Sequence, residues 1–147
     1  MSATWGPDDR FLHRKGQAGV ERINKALADH GFSTKRDKIL TSLDPNMDLV
    51  IRDLASTNLP PGWTGYQIPL YLLKTPPTFV FYQEAEAGAE LPGHAHEVDQ
   101  IRIVVSGGMV YDDLTLHAGD WMFIPANTEY RIAAAKNPGL IVCYMYG

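Results

Sequence analysis

An all-β fold with one N-terminal helix is what this sequence predicts, on three observations. Short runs rich in Val, Ile, Tyr and Phe follow one another from about Leu49 to the end of the chain. Proline and glycine punctuate them at Pro60-Pro61-Gly62, Pro76-Pro77, Pro92-Gly93, Gly107-Gly108 and Asn137-Pro138-Gly139. No helix-length periodic segment intervenes. Closely spaced strands with turn signals form an antiparallel sandwich or barrel, not alternating βαβ units.

The elements follow in chain order. The segment up to about Arg14 is polar and reads as a flexible or docking arm. Gln17 to His30 carries apolar residues at Val20, Ile23, Ala26 and Leu27, which is helical spacing, and Gly31 supplies the stop. Strands are predicted at Leu49–Leu54, Tyr66–Leu73, Thr78–Gln83, Gln100–Val105, Met109–Tyr111, Trp121–Ile124, Tyr130–Ala133 and Leu140–Tyr146. Residues 1–48 are therefore an arm and helix packed on a barrel, and residues 49–147 are the barrel.

Composition bounds the function. At 147 residues the chain suits one domain, and 45% hydrophobic residues exclude disorder. A formal net charge of -4 provides no basic footprint for nucleic acid. No apolar run approaches the ~20 residues that span a bilayer. Met1–Arg10 lacks the charged start and apolar middle of a secretory signal. Cys143 is the single cysteine, so no internal disulfide can form, and a reducing cytoplasm is expected.

One constellation carries chemistry. Gly88 precedes His94-Ala95-His96, Gln100 follows, and Gly107 closes the pattern. Residues i and i+2 on a strand face one side, so His94, His96 and Gln100 are expected to look into one cavity. Two imidazoles and an oxygen donor leave open positions on a metal ion, as in catalytic first-row metal sites and unlike closed structural zinc. Arg102 shares this parity, with Ile101, Ile103 and Val105 on the opposite face. Its fork suits the carboxylate of an anionic substrate; the ordinary alternative is an ion pair with Asp99, Asp112 or Glu129.

This spacing resembles the cupin superfamily, whose first motif has Gly, five residues, His-x-His, then Glu and a later Gly. Gly88, His94, His96 and Gly107 fall in register, and Gln100 stands where the family has Glu. In the second motif Gly119 and Pro125 match, while Asn127 replaces a Gly and Tyr130 replaces the ligand His. The resemblance covers roughly residues 78–146. It implies a double-stranded β-helix, or jelly-roll barrel, with a divalent transition metal inside: Fe, Mn, Zn or Ni. His94 and His96 would hold it. Gln100 would bind it, or hydrogen-bond its water or the substrate. Tyr130 would be a phenolate ligand, a general acid or base, or a ring filling vacated space. Gln in place of Glu removes a negative charge, which favours Lewis-acid chemistry over dioxygen activation.

The expectation is a metal-dependent cupin enzyme acting on a small, anionic organic molecule. Lyase, isomerase or cyclase chemistry fits, or dioxygenase chemistry with iron. Catalytic roles fall to Tyr130, Gln100 and Arg102. The alternative is a non-catalytic binding or sensing cupin with a decayed metal site. Small cupins are commonly dimers, so a homodimer is expected, with the segment before Gln17 available for exchange between barrels. His13, His30 and His117 are expected at the surface, and Cys143 as a small buried hydrophobe.

Overall fold

The computed structural model describes residues 5–72, 76–136 and 139–146. Leu73, the expected end of one strand, and Asn137-Pro138, part of one expected turn, lie outside the described residues, as do Met1–Thr4.

A short 3₁₀ turn at Arg10–Leu12 leads into helix α1, Gln17–Asp29. The apolar stripe read from the sequence is its buried face, with Ile23, Ala26 and Leu27 at 5% exposure or less. Gly19 is on that face for a steric reason. A Cβ there would stand 2.5 Å from the Phe79 ring, so only glycine lets the helix lie this close to the sheet.

Leu49–Leu54, expected as a strand, is instead the body of helix α2, Met47–Asp53. Met47, Val50 and Leu54 are the buried positions. They recur at i, i+3 and i+7, which is one helical stripe. Asp48 in the first turn and Arg52 in the last suit the helix dipole. Six residues dominated by Leu, Val and Ile are too few to separate the two periods by composition alone.

Eight strands follow: β1 Trp63–Leu72, β2 Thr78–Ala85, β3 Glu90–His94, β4 Gln100–Tyr111, β5 Leu114–His117, β6 Trp121–Ile124, β7 Tyr130–Ala134 and β8 Leu140–Tyr146. All pairings are antiparallel, in the order β1-β2-β8-β4-β7-β3, with β5 and β6 also paired to β4. The two segments expected around Gly107-Gly108 are thus one strand. Its first half pairs with β8 and β6 and its second half with β7 and β5. The register shifts between Val104 and Ser106, and Gly107 takes φ 78°, which lets the strand bend from one leaf of the jelly roll to the other. Leu114–His117, absent from the expected strands, is a short strand with exposed ends. No helix among the described residues is long and apolar enough to cross a membrane.

The interior follows the pleat. Phe79, Phe81, Gln83 and Ala85 of β2 point inward, as do Leu140, Val142, Tyr144 and Tyr146 of β8 and Tyr130, Ile132 and Ala134 of β7. The outer face of β4 and β6 is apolar and open: Ile101 pairs with Phe123 and Ile103 with Trp121, and all four are at least 37% exposed.

Candidate functional site

One cavity of about 470 Å³ opens inside the barrel. Its walls come from β2, β3, β4 and β8, and its rim from the N-terminal segment, α1 and the loop after α2. Aromatic rings make up much of the lining, and the polar groups fall into two connected sets.

The first set centres on Arg102, which is 1% exposed. Its Nη1 donates to Gln83 Oε1 at 3.1 Å and its Nη2 to the Tyr130 hydroxyl at 3.2 Å. The Gln100 amide oxygen turns toward the guanidinium, since the opposite orientation would set NH₂ against donors. It then accepts from Nε at 2.7 Å and Nη2 at 3.1 Å, and the amide nitrogen donates to the Tyr130 hydroxyl at 3.0 Å. The guanidinium carbon lies 4.4 Å from the Tyr144 ring centroid. Among the described residues no carboxylate forms an ion pair with Arg102. Asp99, one of its expected partners, accepts the Ala126 N–H instead. The charge is held by neutral acceptors and ring faces alone.

The second set is a chain of three groups. His96 Nδ1 donates to Asp9 Oδ2 at 3.2 Å, and the Tyr146 hydroxyl donates to His96 Nε2 at 3.0 Å. The carboxylate can only accept, and this fixes the imidazole tautomer. Burial pushes the Tyr146 phenol well above its ordinary value. His94 stands beside them, its ring centroid 4.9 Å from that of His96 and 4.5 Å from that of Tyr130. Its Nδ1 donates to the Pro92 carbonyl at 2.7 Å, and the edge of Trp5 meets its ring at 5.0 Å. Burial lowers its pKa to about 4, so it is neutral near pH 7.

The structure therefore brings His94, His96, Gln100, Arg102 and Tyr130 to one place. The route differs from the parity argument in one respect: β3 ends at His94, and His96 lies beyond it in the loop. The group also gains Asp9, Gln83, Tyr144 and Tyr146. The sequence reading missed the two tyrosines, which alternation along β8 would have placed on its inner face. Nothing local marks Asp9, which is 87 residues from His96 in sequence.

The expected metal ligand set does not fit these positions. Gln100 and Tyr130 direct their oxygens at Arg102, and a divalent ion drawing on them would sit against a buried guanidinium. Both nitrogens of His96 have partners. His94 Nε2 is the one nitrogen of the pair with no hydrogen bond to a described residue. No group of three or more His, Cys, Asp or Glu side chains suited to a metal ion occurs among the described residues.

A further guanidinium reaches the cavity from α1. Arg22 donates to Gln67 Oε1 and to the Ala55 carbonyl, each at 3.1 Å, and forms no ion pair with a described residue. Burial pulls its pKa down, and nearby Asp8 opposes that.

Residues 81–144 match the family described as the Cupin domain. The barrel has the cupin fold. Solved structures agree on the fold. An RmlC-like cupin protein from Ralstonia eutropha is 23% identical, with a TM-score of 0.50 over 59% of this chain and 57% of its own. A chain of the Rhodobacter sphaeroides complex of SigE with the anti-sigma ChrR is 16% identical, with a TM-score of 0.52 over 58% of this chain. The match spans only 44% of that chain's length. No curated protein matches the sequence.

Proposed function

We propose that this cupin is an enzyme that binds a small organic anion and moves a proton on it. The observation behind the reading is guanidinium charge without a carboxylate partner in an aromatic-lined cavity that also holds an imidazole–phenol pair of defined tautomer. A ligand acid group would supply the missing counter-charge, and low local dielectric would strengthen the attraction. His96 Nε2 and the Tyr146 hydroxyl are the proton-handling atoms, with Asp9 holding the ring in place. Arg102 lines the cavity floor, and Gln100 and Tyr130 hold it from behind through hydrogen bonds to its guanidinium. Isomerisation, cyclisation and elimination need only such a donor and acceptor.

Cupin domains often bind transition metals, and the metal-dependent reading makes a different prediction. Protein purified without chelator should carry well under one equivalent of any transition metal, unchanged on reconstitution. One equivalent that disappears in a His94→Ala/His96→Ala variant would restore metal-centred chemistry and overturn the proton-transfer reading. The anion is tested with benzoate, phenylacetate and 3-phenylpropanoate against their primary amides by titration calorimetry. Acids should bind and amides should not; equal affinity would remove the anion.

A second reading, a binding or sensing cupin without turnover, is favoured by the engagement of Gln100 and Tyr130 with Arg102 instead of with open space. Neither reading requires more than one barrel. We infer a homodimer nonetheless, with a second copy covering the exposed apolar outer face of β4 and β6, since one such patch can meet its own copy about a two-fold axis.

A further inference from the structure

The sequence directs attention to Arg102 as the anion clamp, yet its geometry suits a supporting role. All three of its nitrogens are engaged by Gln83, Gln100 and Tyr130, and the residue is 1% exposed. A group so enclosed contributes charge to the cavity, but it has little of its fork left to offer a ligand.

Arg22 is in the opposite position. It lines the same cavity and is only partly buried. Its two hydrogen bonds go to neutral acceptors, Gln67 Oε1 and the Ala55 carbonyl. These occupy two of the five N–H donors of a guanidinium and leave three. The carboxylate whose field reaches it, Asp8, has both oxygens on Arg10 at 2.6–3.1 Å. The support is built from the interior outward. Gln67 is 0% exposed, its oxygen accepts from Arg22, and its amide nitrogen is buried without a partner. A buried amide with an orphaned donor is costly. It is positioned where it fixes the arginine, which argues that the placement of Arg22 matters more than the satisfaction of Gln67.

We propose that Arg22, reaching in from α1, is the residue that docks the acidic group of the ligand, with Gln67 as its positioning residue. The ligand class is then a carboxylate, with an apolar or aromatic body packing against the cavity wall of Phe11, Phe81 and Tyr144 and its far end toward His96 and Tyr146. This rests on the reading of the cavity as an organic-anion site and adds the group that selects the anion. It also assigns the N-terminal region a function: the barrel strands alone would hold an aromatic cavity with no forked donor at its rim.

The test is calorimetric titration of the full chain with phenylacetate and its primary amide, in wild type, Arg22→Gln, Arg22→Lys and Arg102→Gln. Arg22→Gln is expected to weaken phenylacetate by about tenfold or more, the scale of a hydrogen-bonded charge pair, and to leave it no tighter than the amide. Arg22→Lys keeps the charge and the aliphatic stem while losing the fork. It should fold like wild type by circular dichroism and recover only part of the affinity. Wild-type acid affinity in both Arg22 variants would overturn the assignment. If Arg102→Gln alone abolished acid binding, the clamp would be Arg102 and only this inference would fall. If the wild type bound acid and amide alike, or neither at millimolar concentration, the anion site itself would fall with it.

Discussion

The two faces of strand β4 invert the usual arrangement of a sheet. Gln100, Arg102 and Val104 point inward at 1% exposure each, while Ile101, Ile103 and Val105 point outward at 37%, 37% and 52%. An ordinary half-buried strand has its apolar set inside and its polar set in water. Here the inner face carries a charge and an amide, and the outer face carries aliphatic groups. Each half of the inversion has a cost, and each is matched by one of the proposals above. Inside, the proposed ligand anion would balance the guanidinium charge of the cavity. Outside, the proposed second copy would cover the apolar face. The contrast can be tested one face at a time.

The largest effect is expected from Gln100→Leu. It removes the acceptor of Arg102 Nε and one acceptor of Nη2, and leaves charged donors unsatisfied in a closed interior. Loss of hydrogen bonds to a buried charge should lower unfolding stability by about 3 kcal/mol in urea titration. A loss below about 1 kcal/mol would mean that water reaches the guanidinium and that the inner face is not closed.

The next effect separates the inner wall by pH. His94 titrates at about 4 when folded and at an ordinary imidazole value when unfolded. Its folded value is depressed, so its contribution is complete above about pH 6.5. That contribution is lost as pH falls from there to about 4, because the unfolded chain takes up a proton that the folded chain refuses. After discount for solvent at the cavity mouth, the loss is about 2 kcal/mol. Unfolding free energies at pH 7 and pH 4 should therefore fall more steeply in wild type than in His94→Gln. Parallel slopes would show that His94 is not desolvated.

How much of this was legible in the chain is clear from particular residues. Gly88, His94, His96 and Gly107 fall at the spacing of the cupin motif, and that resemblance implied the barrel and the centre of its cavity. Parity along β4 correctly grouped Gln100 with Arg102. What parity does not carry is the partner of a side chain. Parity offered Gln100, and the cupin resemblance Tyr130, as a metal ligand or a substrate partner, whereas the guanidinium two residues past Gln100 draws both oxygens to itself. Asp9 and Arg22 were invisible as site residues because their meeting with the barrel is tertiary, across the packing of α1 that Gly19 permits. The strand expected at Leu49–Leu54 failed for a different reason: Met47 lay outside the window, and with it the first member of the buried helical stripe was missed.

A smaller effect is expected from Tyr146→Phe. It deletes the hydroxyl that donates to His96 Nε2 and keeps the ring between Phe81 and Tyr144. Packing is retained, so the stability cost should be about 1 kcal/mol by thermal unfolding. Binding of phenylacetate should persist, since its acid group is held at the other end of the cavity. Loss of binding together with stability would make Tyr146 part of the floor and not a proton donor.

The smallest effect on the monomer is expected on the outer face, and its value lies in what else changes. Trp121 is 67% exposed and pairs across from Ile103. Trp121→Lys removes no buried contact within the chain, so the folded monomer should change by no more than about 0.5 kcal/mol. If a second copy covers this face, the same substitution places a charge in an apolar interface and leaves it without a partner. Light scattering should then report twice the chain mass for wild type and the chain mass for the variant, at equal protein concentration. A wild-type monomer would detach the outer half of the inversion from self-association. A dimer untouched by Trp121→Lys would move the interface elsewhere. Either way the inner face would stand on its own evidence, because its groups answer to Arg102 and not to what lies across the sheet.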